Sequence, residues 1–194
     1  MTSDVKQRMI EKAVVLLARK GLQGTSFSEV LEASGAPRGS LYHHFPGGKS
    51  ELVLAAMNEA SRRALTALEA LKGQPADKVA EAFTSIWATV LTRSHLEAGC
   101  AVVAVTLASD SPVLRERAGE IFKAWRELLS RMLTEGGVSR GRSDGLAAGL
   151  IAACEGAVAI ARAENSMKPF NLVVAEQLKA IKEAASSGKE NAHV

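Results

Sequence analysis

The stretch Gly35-Ala36-Pro37 constrains this chain more than any other. It interrupts an apolar pattern at helical spacing and leaves room only for a tight turn between two helices. Glycine takes a positive φ without a Cβ clash and so ends a helix. Proline, with φ preset and no amide to satisfy, starts the next. Ser26 to Ser34 reads as the helix before the break, with Ser26 at the N-cap and Glu29 three residues on in a capping box. Pro37 to Phe45 reads as the helix after it. Leu41 and Phe45, four apart, give that helix an apolar stripe for docking. Arg38, Ser40, Tyr42, His43 and His44 then point elsewhere, with donors suited to base edges and phosphates. Two short helices joined by a glycine turn make a helix-turn-helix, whose second helix can enter a DNA major groove.

The remaining residues repeat the helical period, and no β-hairpin signal occurs. Ile10, Ala13, Val14 and Leu17 place a first helix over about Asp4 to Lys20, ended by Gly21. Pro46-Gly47-Gly48 breaks the chain, and Lys49 opens a long helix to about Leu71. Further helices are expected over Ala76 to Ser94, Cys100 to Ala108, Pro112 to Glu135, Ser143 or Asp144 to Ala163, and Lys168 to Ser186. Arg140-Gly141-Arg142-Ser143 reads as a loop, and the polar tail 187–194 as frayed. The fold class is therefore all-α, with about nine helices. A three-helix head over residues 1–48 precedes a helical part over 49–194, whose segment 49–71 is the connector.

Charge placement agrees with a nucleic-acid partner. Residues 1–50 hold seven Lys/Arg against four Asp/Glu, while residues 51–194 hold seventeen of each. The formal charge of +3 thus lies wholly in the helix-turn-helix segment, as phosphate binding favours. Lys49 in the first turn of its helix opposes the helix dipole, which an anionic partner would offset. Cys100 and Cys154 are far apart and read as buried apolar thiols in a reducing cytosol. The most apolar run, Leu146 to Ala161, contains Glu155 and is shorter than the ~20 residues a membrane span needs. With no leader-like apolar segment in residues 1–20, a cytoplasmic protein without a membrane partner is expected. No catalytic, metal or cofactor motif is present, so neither an enzyme nor a cofactor is implied. Adjacent His43 and His44 point about 100° apart on a helix and do not easily share a metal.

Lys20-Gly21, Thr25-Ser26-Phe27, Gly39-Ser40-Leu41-Tyr42-His43-His44-Phe45, and the pair Lys49 and Leu52 together resemble the TetR/AcrR family of bacterial transcriptional regulators over roughly the first sixty residues. The Phe45-Pro46-Gly47-Gly48-Lys49 junction is most similar to the LmrA/YxaF-like subgroup. Pro37 replaces the usual Ser or Thr N-cap, and the spacing from Phe45 to Lys49 is one residue longer than the family norm. The resemblance implies a repressor that binds a palindromic double-stranded operator as a homodimer and is released by a small-molecule effector. It implies DNA contacts from Thr25, Ser26, Arg38, Gly39, Ser40, Tyr42, His43, His44 and Lys49. It also implies an effector pocket in the middle helices, with Phe83, Trp87, Cys100, Phe122, Trp125 and Glu155 as candidates, although helical spacing alone reads the aromatic ones as core. The last two helices would form the dimer. Their small residues, among them Gly145, Ala148, Gly149, Ala152 and Gly156, suit close helix packing, whether between protomers or within one. An alternative is a helical interaction protein of the same fold without DNA binding.

Overall fold

A computed structural model describes residues 2–190, with side chains over residues 4–187. It contains nine α-helices and no strand among the described residues. They are α1 (Thr2–Lys20), α2 (Phe27–Ser34), α3 (Arg38–His44), α4 (Gly48–Glu69), α5 (Ala76–Arg93), α6 (Ala101–Ala108), α7 (Pro112–Glu135), α8 (Arg140–Ala163) and α9 (Lys168–Glu190). The last four residues of the tail expected to fray lie outside the described residues.

The packing falls into two units. The first takes the chain up to Arg63 together with Cys100–Ile121. Within it α1 packs on α2 and on α6, and α2 packs on α3. Met9, Ala13 and Leu17 of α1, Val30 of α2, Leu41 of α3, Phe45, and Leu52, Val53, Ala56 and Met57 of α4 are buried there. Each large apolar side chain so buried contributes roughly 1.5–3 kcal/mol. Besides the three helices of the 1–48 segment, this packing unit takes in most of α4, all of α6 and the start of α7. Glu59 of α4 is also buried here, at 8% exposure. Its carboxylate accepts from Arg62 Nε and Nη2 at 2.9 and 2.8 Å and from Arg63 Nε at 2.6 Å. Arg63 Nη2 reaches on to Glu11 of α1 at 2.9 Å.

The second unit is Ala64–Gly99 with Phe122–Val194. Here α8 and α9 pack on each other and both pack on α5. Gly136 closes α7 against the start of α5, where the Ala76 amide donates to its carbonyl at 3.1 Å. The Arg140-Gly141-Arg142-Ser143 segment, expected as a loop, is the first turn of α8. Ser143 is not its cap. It is fully buried, accepting from Thr134 Oγ1 at 2.8 Å and donating to the Ser139 carbonyl at 3.1 Å. At 24 residues α8 is long and apolar enough to cross a membrane by length and composition, so the length argument made from Leu146 to Ala161 does not stand. One side of it is packed in the unit, where Ala147, Leu150, Ile151, Cys154, Ala157, Val158 and Ala161 are all buried.

A Cβ at Gly136 would sit 2.4 Å from the Ala76 nitrogen and 2.8 Å from its Cα, both backbone atoms that cannot swing away. Gly136→Ala is expected to destabilise by about 2–4 kcal/mol in urea unfolding, through overpacking. Hydrogen bonds from Arg62, and after them Arg63, hold the Glu59 carboxyl below its ordinary value of 4.5 against the opposing effect of burial. A depressed folded-state value adds stability above the unfolded value and loses it as pH falls through the folded one. Wild-type stability should therefore decline below about pH 4.5, and Glu59→Gln should show a shallower decline. Parallel curves for the two proteins would rule that contribution out.

Candidate DNA interface

The module begins with a turn built by side chains. Gly21 ends α1 with φ +71, its amide donating to the Leu17 carbonyl at 3.0 Å. Thr25 is 2% exposed and donates Oγ1 to the Gly21 carbonyl at 2.8 Å. Lys49, at the start of α4, donates Nζ to the Leu22 carbonyl at 2.8 Å. These two expected DNA contacts thus hold the α1–α2 turn together with their polar ends turned onto backbone carbonyls. The Thr25 hydroxyl is enclosed, whereas Lys49 is half-buried.

Ser26 caps α2 from extended backbone, φ −100 and ψ 163. Both arms of the capping box are present. Ser26 Oγ accepts from the Glu29 amide at 3.2 Å, and Glu29 Oε2 accepts from the Ser26 amide at 3.0 Å. Glu29 Oε1 also takes Lys20 Nζ at 2.6 Å. The Lys20 hydrogen bond first, and the Ser26 amide next, lower the Glu29 carboxyl to about 2. Sequence reasoning found the box but not Lys20, which lies nine residues away across the turn.

Gly35 follows α2 in the left-handed region, φ 65 and ψ 19, returning its amide to Glu32. Pro37 is the N-cap of α3, with no side-chain cap. Within α3, Leu41 is 1% exposed and Phe45, just after the helix, is fully buried. Lys6 of α1 places Nζ 5.3 Å from the Phe45 ring centroid, a cation–π contact not signalled by any motif. The opposite face presents Arg38, Gly39, Tyr42 and His43, all exposed, with Ser40 and His44 half-buried beside it. Positions 38 and 42, and 39 and 43, are one helical turn apart, so these four make one continuous face. Tyr42 is 72% exposed, and its ring meets Phe27 edge-on at 6.2 Å. The His43 and His44 rings also meet edge-on, at 4.9 Å. An exposed face of guanidinium, glycine, phenol and imidazole on a helix rooted by two buried apolar residues can approach a base edge or a phosphate closely.

In the second unit Phe83, Trp87, Trp125 and Phe122 form a chain of edge-on rings at 6.5, 6.4 and 5.5 Å. Four of the six expected pocket residues are thereby together. Trp87 and Trp125 are 6% and 3% exposed, and neither indole nitrogen has a hydrogen-bond acceptor among the described residues. Glu155 is half-buried on α8 in the same unit. Burial, and then the charge of Glu155, push the neighbouring Cys154 thiol up to about 12. Cys100 belongs to the other unit, where its sulfur caps α6 by accepting from the Val103 amide. A half-open groove of about 410 Å³ in the second unit is lined instead by Glu69, Lys72, Leu128, Arg131, Met132 and Glu135. Its lining is set by where α4 ends beside α7, which residue periodicity does not reveal.

Residues 9–56 match the family of bacterial regulatory proteins, tetR family, and residues 75–176 match the family of transcriptional regulator LmrA/YxaF-like, C-terminal domain. The chain is 30% identical over 175 residues to the uncharacterized HTH-type transcriptional regulator Rv0196 of Mycobacterium tuberculosis, covering 87% of this chain and 89% of that one. It is 26% identical over 172 residues to the HTH-type transcriptional regulator LmrA of Bacillus subtilis, covering 86% and 91%. A TetR transcriptional regulator from Legionella pneumophila superposes with a TM-score of 0.81 at 20% identity, covering 90% and 96% of the two chains. One from Chloroflexus aurantiacus superposes with 0.75 at 26% identity, covering 93% and 96%. With a DNA-binding helix-turn-helix at its amino end and this second match over more than half its length, the chain belongs to the TetR family of transcriptional regulators, in the LmrA/YxaF-like branch.

Proposed function

We propose that this regulator is a cytoplasmic repressor that binds a palindromic operator as a homodimer and releases it when a small molecule occupies the second unit. The observation that carries the reading is the exposed face of α3, Arg38, Gly39, Tyr42 and His43, on a helix anchored by buried Leu41 and Phe45. Arg38 and His43 read base edges, and Tyr42, Ser26 and His44 meet phosphates. Lys49 and Thr25 act through the turn they hold.

Two features support the remaining parts. The side of α8 left uncovered carries Gly145, Ala148, Gly149, Ala152, Gly156 and Ala159, all exposed, with Ile160 at 46%. On α9, Leu172 is 60% exposed. An uncharged, nearly flat helix face is expensive to leave in water and suits a second copy of itself. Two buried indole N–H groups without an acceptor favour a ligand that supplies one, since an unmet buried donor costs about 1–3 kcal/mol.

Selection from a random duplex library, followed by anisotropy across a salt series, is expected to yield a palindrome whose affinity falls steeply with salt. Tyr42→Phe should weaken binding about fivefold at every sequence, as for one phosphate hydrogen bond. Arg38→Ala should cost about 1–3 kcal/mol on the selected site and relax base preference at one position of each half-site. No enrichment from folded protein would overturn the DNA-reading function. In sedimentation, the wild type should run as a dimer and Ala152→Glu with Leu172→Glu as a folded monomer. A variant that stays dimeric would move the interface elsewhere.

A further inference from the structure

The connector helix α4 is gripped by polar contacts at one level, and no DNA-contacting residue takes part. Asn58 Oδ1 accepts from Arg117 Nε of α7 at 2.6 Å, and Arg117 Nη1 is held in turn by Glu120 at 2.5 Å. One residue on, the buried Glu59 fixes the Arg62 and Arg63 guanidinium groups, and Arg63 carries the link to Glu11 of α1. Both grips close just before the first packing unit ends, after Arg63 on α4 and after Ile121 on α7. From Gly48 to Arg63 the helix is roughly 22 Å long at 1.5 Å per residue. A tilt of about 10° there moves its far end by about 4 Å, close to the ~3.4 Å between successive bases.

We propose that Asn58, Glu59 and Arg117 are positioning residues that clamp α4 from the α1 side and the α7 side and so set the half-site separation the dimer accepts. The proposal rests on the dimeric DNA-reading function above and adds what fixes its geometry. The Asn58–Arg117 and Arg63–Glu11 contacts are exposed and individually weak. Losing them therefore leaves the fold in place while freeing the angle of α4. Glu59 differs, because a buried carboxylate stripped of its guanidinium partners is costly, which keeps the inner half of the clamp shut.

The test uses the full-length protein and the palindrome that the wild type selects, with its central spacer lengthened or shortened by one and two base pairs, plus a duplex bearing a single half-site. The wild type should lose about tenfold or more in affinity on a two-base-pair change. The Asn58→Ala/Arg117→Ala double variant should lose no more than about threefold, with unchanged single-half-site affinity and melting temperature. A merely structural contact would lower the melting temperature and leave the spacing preference alone. Glu59→Gln should relax spacing in the same way, and if it does not fold, the exposed pair still decides the matter. Folded variants that discriminate spacing as the wild type does overturn the clamp alone. A wild type that selects no palindrome overturns the DNA-reading function and the clamp with it.

Discussion

A helix of seven residues does not hold together in water, because nucleation fixes several dihedral angles for each hydrogen bond gained. α3 exists only because Leu41 and Phe45 leave water. Everything useful on the other face of that helix depends on this burial. It sets which way Arg38, Tyr42 and His43 point, and it does so with two residues that are themselves enclosed. The surrounding devices protect the same docking. Gly35 turns the chain without strain, Lys6 lies over the Phe45 ring, and Lys49 and Thr25 hold the entry turn by its carbonyls.

The helices were legible because their signals are local. Gly21, the Ser26–Glu29 box, Gly35-Ala36-Pro37 and Gly136-Gly137 each act within one or two turns, and the structure places helix ends at or near them. The start of α8 was not legible. Ser143 has the right chemistry for a cap, but Thr134 of the preceding helix takes its hydroxyl inside, so α8 begins three residues earlier. The site was legible in the same uneven way. Residues on the face opposite Leu41 and Phe45 follow from helical period alone. That Thr25 and Lys49 point into the turn depends on the Gly21 and Leu22 carbonyls, and backbone acceptors have no signature in residue type. Likewise the aromatic chain followed from spacing on α5 and α7, whereas the charged lining of the groove depends on how the ends of two helices come together.

The two arginine systems on α4 illustrate how polar contacts of different burial divide the work of one helix. Glu59 is enclosed and takes three guanidinium hydrogen bonds, so it behaves as part of the core. The Asn58–Arg117 bond is exposed and can open at small cost. Under the proposed clamp, one kind keeps the helix folded and the other lets it be adjusted. This division cannot be read from the run Asn58-Glu59-Ala60-Ser61-Arg62-Arg63, which looks like any solvated helix surface.

The packing of α6 on α1 bears on how the protein is made. As the chain leaves the ribosome, α1, α2 and α3 emerge first, but the helix that covers α1 comes some eighty residues after α1 ends. Until the segment through Ile121 is free, the amino-terminal unit lacks part of its own interior. Order of synthesis and order of assembly therefore differ. A product truncated before Ile121 would lack part of the interior of its amino-terminal unit, whereas one ending shortly after it would hold that whole unit with only Ala64–Gly99 of the other.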